Sequence, residues 1–568
     1  MKKIIAVILS LAIVFGACAV FAYATKDEDL KFALASDLHY NIPRDELEGP
    51  IDDEVYWYAN RRAAMEDESG FIIDEFLRQC AESDVEYVLV SGDIVDNGRA
   101  IAQEHYDVAE KFAAFEAATG KQIFVINGNH DAGNNSETTV EQFKQIYADF
   151  GYDHALTVDE GNCSYTANLG DKYRLIALDS CNHDASTEDG MTAERIDWVC
   201  KQADAAKADG RYPILMMHHN LLDHMPIQTI LSSDFIVKFH YTTAEIFADH
   251  GIKLVFSGHE HCSDATSYTS ALGNVIYDFA TTSLTMYPLE YRVFTLNDDE
   301  INYEAKAIES IDLEALTARV SGYTDAQLVP MAENLNDYAK GFLKAGVEYR
   351  LELSLSMEKM GIAEDAVYFD LVNTAVGGLL EILNMPLYGQ GSVSSLASNY
   401  NIDIPYSKYE TPWDLATDLV AMHYAGEEAF DLDSPEVRIL LRTVALILHA
   451  DLATVTDEVF LSAATDLLNM MGISGLSQEI TKACARFFGG ITPMEYFLVT
   501  LVAPLLYAFA YDDDGVNDNN GTLEGYGTVT TESNISNIFT NIIETIKDAG
   551  FNLYLMLKVM LTMFGVSI

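Results

Sequence analysis

Basic residues are scarce in this chain: 34 lysines and arginines stand against 88 aspartates and glutamates in 568 residues, so the formal net charge is -54. A field of that sign repels polyanions, and a nucleic-acid polymer is excluded as an expected partner unless a metal ion or a local patch reverses it. Hydrophobic residues at 49% and charged residues at 21% exclude a mainly disordered chain. At ~100–200 residues per domain, the length predicts two to four domains.

Long hydrophobic runs are also missing. The apolar segments Ile4–Phe15, Tyr496–Tyr511 and Phe551–Ile568 are each shorter than the ~20 residues that a membrane-spanning helix needs. The first follows two lysines and precedes Ala22-Tyr23-Ala24, which predicts a cleaved signal peptide over residues 1–24 and a secreted or cell-envelope protein. A retained anchor and a lipid anchor at Cys18 are the alternatives. The other two segments are interpreted as buried helices, with peripheral membrane or protein contact through the tail as the alternative.

Cysteine is the third scarcity, with seven residues in the chain. Cys18 lies in the predicted signal peptide, and the other six are widely and irregularly spaced, with no CxxC pair. Export permits disulfides between them, while the spacing is equally compatible with buried free thiols. The six are Cys80, Cys163, Cys181, Cys200, Cys262 and Cys484.

Short apolar runs and helical patterns alternate from Leu30 to about Ile308, which predicts an α/β domain over residues 25–310 with helices covering its sheet. The last three strand-like segments have no clear helices between them, so antiparallel strands should close this domain. The predicted strands are Leu30–Ser36, Val85–Ser91, Gln122–Asn127, Tyr173–Ser180, Pro213–Met217, Ile252–Ser257, Val275–Phe279, Tyr291–Leu296 and Ile301–Ala307. The predicted helices are Phe71–Cys80, Ala102–Ala118, Val140–Phe150 and Thr192–Ala208.

Helical patterns dominate the rest of the chain, so we predict an all-α C-terminal domain of unknown role over residues 311–568. Thr411-Pro412, Ser434-Pro435 and Thr492-Pro493 each supply a capping side chain followed by proline at the first helical position. The acidic segment Asp512–Gly521 is either a solvated turn or a calcium site. Its carboxylate spacing does not match an EF-hand loop.

Metal-ligating side chains follow five of the strand-like runs. Because ligands bind at the carboxyl ends of the strands in open α/β sheets, we expect these side chains at one edge. A mixed set of this many oxygen and nitrogen ligands is too large for one tetrahedral ion. It suits two ions of the kind used in phosphoester hydrolysis. One carboxylate must bridge the pair, and Asp93 is the natural candidate. The set comprises Asp37, His39, Asp93, Asn129, His218, His259 and His261, with Asp96, His130, Asp131 and His219 beside them.

These residues resemble the five blocks of the calcineurin-like metallophosphoesterases, in order and across residues 30–308. The blocks are Asp37-x-His39, Gly92-Asp93-x-x-Asp96, Gly128-Asn129-His130-Asp131, His218 and Gly258-His259-x-His261. The resemblance implies a four-layer α/β/β/α metallophosphoesterase sandwich holding two divalent or trivalent metal ions, Mn, Fe or Zn.

The resemblance also implies a role for each residue. One metal would be held by Asp37, His39, Asp93 and His261, and the second by Asp93, Asn129, His218 and His259. His130 would be the acid near the leaving group, supported by Asp131. Asp96 is expected beside the ligands rather than among them. His183 is a candidate for the site mouth and Arg99 for neutralising the phosphate, with a structural role as the alternative for each.

Two residues differ from those of other branches of this family and narrow the resemblance to one branch. Asp96 stands where purple acid phosphatases carry tyrosine, and Asp131 stands where protein Ser/Thr phosphatases carry glutamate. The sequence is similar to the exported bacterial phosphodiesterase-like branch, so we predict an exported phosphodiesterase that hydrolyses a small diester, such as a cyclic nucleotide, with a metal-bridging hydroxide. A phosphomonoesterase of the same fold and a surface binding protein whose helical half engages a partner are the alternatives.

Overall fold

The structure is a computed structural model that describes residues 29–43, 46, 63–185, 189–225, 228–354, 369–399, 402–430, 434–451, 510, 512 and 515–531. Several predictions lie outside these residues, so nothing in the structure bears on them. They are the signal peptide, the capping pair Thr492-Pro493, the segment 551–568, and the segment 496–511 apart from Ala510.

Two β-sheets form the centre of the N-terminal part. The first has six strands in the order β13-β12-β11-β1-β2-β3, and the second has seven in the order β4-β5-β6-β7-β8-β10-β9. Strands β1 to β3 are parallel, as are β6, β7, β8 and β10. The strands are β1 (Leu30–Ala35), β2 (Tyr87–Val90), β3 (Gln122–Val125), β4 (Thr157–Val158), β5 (Tyr165–Leu169), β6 (Tyr173–Ala177), β7 (Tyr212–Met216), β8 (Leu254–Ser257), β9 (Asp264–Thr269), β10 (Val275–Ala280), β11 (Glu290–Leu296), β12 (Glu300–Ala307) and β13 (Asn520–Glu524).

Aromatic side chains join the two sheets face to face. Phe256 of β8 contacts Phe32 of β1 and Phe294 of β11, with ring centroids 5.5 and 4.8 Å apart. Phe279 of β10 meets Phe294 edge to face at 5.1 Å. Such pairs stabilise a core by about 0.5–1.5 kcal/mol each beyond their burial. All four rings are buried, so the centre of the domain lies between the sheets.

Helices cover the outer face of each sheet. Because side chains alternate along a strand, Leu215 of β7 faces outward and packs with Val199 and Phe247 of the helices, while its neighbour Ile214 faces the other sheet. On the first sheet, Ile72 and Phe112 belong to the covering helices. The predicted α/β/β/α layering is therefore confirmed. The helices are α1 (Ser69–Glu82), α2 (Ala102–Thr119), α3 (Val140–Ile146), α4 (Ala193–Ala208), α5 (Gln228–Leu231) and α6 (His240–Asp249).

The described residues after Ala307 are mainly helical, as predicted. Thr411 Oγ1 accepts from the amide of Asp414 at 2.9 Å and Pro412 opens its helix, so this predicted cap is confirmed. No helix in the described ranges is both long and apolar enough to cross a bilayer. The helices are α7 (Leu313–Arg319), α8 (Asp325–Glu333), α9 (Leu335–Ser354), α10 (Phe369–Leu383), α11 (Val393–Ser398), α12 (Pro412–Ala425) and α13 (Pro435–Asp451).

One strand of the C-terminal part was not expected from its helical pattern. Strand β13 pairs antiparallel with β12 and extends the first sheet at its edge. Beyond it, the ring of Tyr526 stacks on that of Tyr212, with centroids 4.7 Å apart. The Tyr526 hydroxyl donates to the carbonyl oxygen of Pro213 at 3.0 Å. The segment 515–531 therefore contacts both sheets of the N-terminal part.

The five described cysteines are buried and free, which agrees with the thiol interpretation for these positions. Burial raises the pKa of the Cys163, Cys181 and Cys262 thiols, so these side chains stay protonated and inert. The five are Cys80, Cys163, Cys181, Cys200 and Cys262.

Candidate metal centre

The seven predicted ligands lie together at the carboxyl ends of five strands. The first sheet supplies side chains after β1, β2 and β3, and the second sheet supplies side chains after β7 and β8. Because both groups of strands are parallel, their ends meet at one edge, as expected from the sequence. The side chains are Asp37 and His39 after β1, Asp93 after β2, Asn129 after β3, His218 after β7, and His259 and His261 after β8.

The backbone at these positions is unusual. Eight non-glycine residues of the described chain have positive φ, and five of them belong to the predicted ligand set. Such conformations cost of order 1–3 kcal/mol each and persist only where surrounding contacts enforce them. Their concentration here indicates that the fold holds these donors in place at the expense of stability. The five are Asp37, His39, Asp93, His259 and His261.

Two of the motif glycines are required by close approach. A Cβ atom on Gly128 would lie 2.1 Å from Asp93 Oδ1, and a Cβ atom on Gly258 would lie 2.3 Å from Asp37 Oδ2. Neither position leaves room for a side chain. These glycines let the two carboxylates rest directly against the neighbouring backbone.

The first donor group contains Asp37, His39 and His261. His261 Nε2 lies 3.1 Å from His39 Nε2 and 3.2 Å from Asp37 Oδ1. The other oxygen of Asp37 is occupied, since it accepts from the amide of His259 at 2.9 Å. Asp37 Oδ1 is buried and has no hydrogen-bond partner among the described residues, so one oxygen of this carboxylate is left for a ligand.

The second donor group contains Asp93, His218 and His259, with Asn129 beside them. His218 Nε2 lies 3.3 Å from Asp93 Oδ2, 3.0 Å from Asn129 Oδ1 and 3.1 Å from His259 Nδ1. Four donor atoms thus converge from strands of both sheets.

Asp93 lies between the two groups. Its Oδ2 atom is 3.8 Å from His39 Nε2 on one side and 3.3 Å from His218 Nε2 on the other. Its Oδ1 atom accepts from the amide of His130 at 2.8 Å. The carboxylate therefore occupies the position that the sequence predicts for a bridging ligand.

Contacts behind the imidazoles fix their orientation. His39 Nδ1 lies 2.9 Å from Asp96 Oδ1, and His218 Nδ1 lies 3.1 Å from the carbonyl oxygen of Ser91. An imidazole that donates from Nδ1 presents the lone pair of Nε2 to the site. The expected place of Asp96 beside the ligands is borne out by this contact.

Burial and charge set the protonation of the site. Burial lowers the pKa of His39 and, more strongly, that of His259, so both are neutral. Burial alone would raise the pKa of Asp93, but the charges of His218 and His130 hold it well below its usual value. Burial alone would lower the pKa of His218, but the charges of Asp93 and Asp37 raise it to about 9. The carboxylates thus attract positive charge to the centre of the group.

The donor set fits metal ions. Ligand atoms bonded to one ion at about 2.0–2.2 Å lie roughly 3–3.4 Å apart, and the Nε2 atoms of His39 and His261 face each other at 3.1 Å. If both rings are protonated at Nδ1, both Nε2 atoms carry lone pairs that a shared cation can bind. Imidazole, amide and carboxylate donors suit the transition ions Mn, Fe and Zn.

His130 lies at the edge of the donor groups, with 29% of its side chain exposed. Its Nε2 atom is 4.0 Å from Asp93 Oδ2, and its Nδ1 atom is 2.7 Å from the carbonyl oxygen of Asp96. The predicted support of His130 by Asp131 stays a prediction, and the structure shows where the Asp131 carboxylate lies. Within the described residues the Asp131 carboxylate accepts from the amides of Gly128, Ile94 and Val95 rather than from the His130 ring.

The position of Asp131 has its own physical reason. Its carboxylate is buried and ties the loop after β3 to the loop after β2, where those amides need an acceptor. Burial and the charge of Asp93 nevertheless raise its pKa to about 7. Asp131 therefore positions the backbone that carries His130 and does not touch its ring.

The other candidates have structural partners. The Arg99 guanidinium donates to the carbonyl oxygens of Asn129, His183 and Ala185. The His183 ring is buried 2.6 Å from Asp179 Oδ2 rather than at the site mouth.

Sequence reasoning missed three contacts around the ligands. Phe235 stacks on His259 with ring centroids 4.2 Å apart, and Met286 Sδ lies 3.1 Å from His261 Nδ1. Both come from loops without a motif. The third is the contact between the Ser91 carbonyl oxygen and His218 Nδ1. The position of Ser91 next to the Gly92-Asp93 block was the one sequence feature that could have indicated this contact.

One comparison with known proteins gives a match to a family model. The family model described as calcineurin-like phosphoesterase matches residues 30–263. No curated protein matches the chain.

Three solved structures are similar to part of the chain. A dimetal phosphatase from Danio rerio is 13% identical, with 50% of this chain and 97% of that chain covered and a TM-score of 0.38. The anchor protein of the inner membrane complex of Plasmodium is 11% identical, with 50% and 85% covered and a TM-score of 0.33. A purple acid phosphatase from yellow lupin seeds is 11% identical, with 53% and 58% covered and a TM-score of 0.33.

Every predicted ligand, from Asp37 to His261, lies within the matched residues. Residues 30–263 are thus similar to the calcineurin-like phosphoesterase family and carry a candidate set of metal ligands.

Proposed function

We propose that this protein is an exported di-metal phosphoester hydrolase whose substrate is a small phosphodiester. The observation that carries the proposal is the position of Asp93 Oδ2, between His39 Nε2 at 3.8 Å and His218 Nε2 at 3.3 Å. A carboxylate shared by two nitrogen-rich groups suits a pair of ions rather than one.

The ions would be held by the two donor groups described above. When bound, two such metals supply charge stabilisation for the phosphoryl oxygens and an acidified water as nucleophile. Asp96 holds the His39 ring through Nδ1, and the Ser91 carbonyl holds the His218 ring, so both Nε2 atoms stay directed at the site. Preorganised donors of this kind need no rearrangement during the reaction.

His130 is placed to give a proton to the leaving group. The carbonyl oxygen of Asp96 accepts from Nδ1 at 2.7 Å and keeps that nitrogen protonated, while Nε2 faces the donor groups. With Nδ1 bonded to that carbonyl, the Nε2 atom is the position from which the ring would donate a proton. Partial exposure of the ring leaves room for a departing alcohol.

Charge around the site supports a diester rather than a monoester. A monoester carries a second negative charge that calls for an additional cation, and the guanidinium of Arg99 already donates to three backbone carbonyls and Ser136. The net charge of -54 further disfavours large polyanions. A small diester with one negative charge meets the least repulsion.

A direct assay tests the proposed substrate class. Manganese-loaded protein should hydrolyse bis-p-nitrophenyl phosphate with a higher kcat/KM than p-nitrophenyl phosphate. The reverse order would favour the monoesterase alternative. Failure to hydrolyse either ester by protein that retains two metals would favour the binding-protein alternative.

Export is proposed on the sequence of residues 1–24 alone. Protein recovered from the medium or the cell envelope should begin at Thr25, as N-terminal sequencing would establish. An N terminus at Met1, or a lipid on Cys18, would replace cleavage at this position with one of the anchored forms. Contact of the helical part with a membrane or a protein stays a prediction.

A further inference from the structure

The loop between β8 and β9, residues 258–263, carries His259 and His261 and is held differently at its two ends. We call it the ligand loop. Near its start, the amide of His259 donates to Asp37 Oδ2 at 2.9 Å, so this half is tied to the metal centre itself. At its end, Ser263 is bonded to the C-terminal part of the chain. The two ligands of one loop therefore depend on different parts of the protein.

Ser263 makes two hydrogen bonds to the C-terminal part. Its amide donates to the carbonyl oxygen of Tyr424 at 3.0 Å, directly before the last residue of α12. Its hydroxyl donates to Oδ1 of Asn519 at 3.0 Å, directly before β13. Ser263 is buried, so both bonds form in a medium of low dielectric constant, where they are stronger than in water. These two bonds fix the end of the ligand loop.

Asn519 connects three segments of the chain. Its Oδ1 atom accepts from Ser263, while its Nδ2 atom donates to the carbonyl oxygens of Ala425 at 2.8 Å and Gly426 at 3.2 Å, where α12 ends. Such terminal carbonyls have no partner within their own helix. The carbonyl oxygen of Asn519 accepts from the amide of Ala305 on β12 at 2.6 Å. One residue thus joins the end of a helix and the end of the ligand loop, and its backbone is fixed to the first sheet.

The segments that meet at Asn519 pack closely. A Cβ atom on Gly426 would lie 2.3 Å from the carbonyl oxygen of Ser263 and 2.6 Å from Asp518 Cβ. The buried guanidinium of Arg292 donates both to the Ser263 hydroxyl at 2.9 Å and to the carbonyl oxygen of Asp518 at 3.1 Å. Close-packed groups transmit displacement to one another. A shift of the C-terminal segment would therefore move the ligand loop.

His261 is the ligand that these contacts affect most. Its φ of 63° is a conformation that persists only where surrounding contacts enforce it. Its carbonyl oxygen accepts from Thr282 Oγ1 at 2.9 Å on one side, and two residues later Ser263 is bonded to the C-terminal part on the other. Its Nε2 atom lies 3.1 Å from that of His39. Because ligand distances in metal sites vary by only about 0.2 Å, a loosened loop would cost metal affinity.

We propose that Asn519 is a positioning residue of the metal centre, which holds His261 in place through Ser263. The C-terminal part of the chain is then required for full affinity of the first donor group for its ion. This role rests on the proposed two-ion function. The second donor group is less sensitive to the contact, because the amide of His259 is tied to Asp37 instead.

Calorimetric titration of the full-length protein with manganese chloride, after removal of bound metal with a chelator, tests this role. The wild type should bind two ions. Asn519→Ala should weaken one of them about tenfold and change the other by less than about twofold. His261→Ala identifies the affected ion, because it removes a ligand of the first donor group and should abolish the same binding event.

Thr522→Ala is the matched control. Thr522 Oγ1 donates to Asn302 Oδ1 at 2.6 Å, so this variant also weakens the attachment of the C-terminal segment, but at the pairing of β13 with β12 rather than at the ligand loop. It should bind both ions as the wild type does. Ser263→Ala removes the hydrogen bond to Asn519 from its other partner and leaves α12 attached, so it tests the role even if Asn519→Ala does not fold. It should weaken the same ion, and the double variant should bind no more weakly than Asn519→Ala.

Hydrogen exchange separates positioning from a general loss of stability. Asn519→Ala should speed exchange of the Ser263 amide, whereas Thr522→Ala should not. Wild-type affinity for both ions in Asn519→Ala and Ser263→Ala, or equal weakening of both ions, would overturn the role of Asn519 and leave the two-ion centre intact. A wild type that binds fewer than two ions would instead overturn the proposed function and this role with it.

Discussion

The Nδ1 atom of His39 lies 2.9 Å from Oδ1 of Asp96, and both side chains are buried. The contact fixes the ring so that Nε2 faces His261, and a carboxylate behind a ligating imidazole also increases its basicity. Asp96→Asn keeps the shape of the side chain and removes its charge. Metal affinity should fall by about 10–100-fold while the fold is retained.

Metal titration with circular dichroism as a check on folding would measure that loss. Asp107→Asn is the matched control, since Asp107 bonds the Tyr40 hydroxyl at 3.0 Å and touches no predicted ligand. Equal affinities for Asp96→Asn and the wild type would show that the carboxylate does not support the ligand.

His130→Ala should separate substrates by their leaving groups. An alkoxide needs a proton as it departs, whereas p-nitrophenolate does not, so the loss in kcat should be about 10²–10⁴-fold for an alkyl diester and much smaller for a nitrophenyl diester. Parallel rate measurements on the two esters decide this. Losses of the same size on both would contradict a proton-donating role.

His105 makes stability depend on pH. Burial lowers its pKa to about 4, against about 6.5 in the unfolded chain. Between these pH values the folded state binds fewer protons at His105 than the unfolded chain does. The contribution of His105 to stability is therefore complete above pH 6.5 and is lost as the pH falls towards 4. The loss attributable to His105 should approach about 3 kcal/mol at the lower limit.

Urea unfolding at several pH values would measure this effect as a difference between variants. His105→Gln should flatten the pH dependence of the unfolding free energy, and His154→Gln, at an exposed position, should leave it unchanged. Curves of identical slope for His105→Gln and the wild type would exclude His105 as the source.

Substitution of Tyr526 measures how much the contact of segment 515–531 with the sheets contributes to stability. Its ring stacks on Tyr212 at 4.7 Å and is 7% exposed, so Tyr526→Ala should lower the free energy of unfolding by about 3 kcal/mol. Tyr406→Ala, at a tyrosine that is 82% exposed, should change it by less than about 0.5 kcal/mol. Denaturant unfolding of both variants gives the comparison, and similar values for the two would contradict the docking of this segment.

Much of the fold was predictable because its central strands are apolar on both faces. All nine strand-like segments named from the sequence form strands, including Leu30–Ala35 and Leu254–Ser257. Strand β9, with the sequence DATSYT, and strand β13, with the sequence NGTLE, lack such runs. They form because β10 and β12 offer hydrogen-bonding edges, which a local pattern does not reveal.

The ligand positions were predictable for a related reason. Asp37 and His261 each stand within four residues of the end of a recognisable strand, so topology alone brings them to one edge. The role of Asp131 was not predictable, because its partners are backbone amides of a loop 36 and 37 residues earlier in the chain. Adjacency to His130 in sequence suggested a contact that the turn of the backbone does not make.

The two donor groups should hold two ions, one on either side of Asp93. Anomalous scattering from crystals of the manganese-loaded protein tests it most directly. Two peaks are expected, one against His39 and His261 and the other against His218 and His259, both in contact with the Asp93 carboxylate. A single peak, or none at these side chains in protein that hydrolyses phosphodiesters, would contradict it.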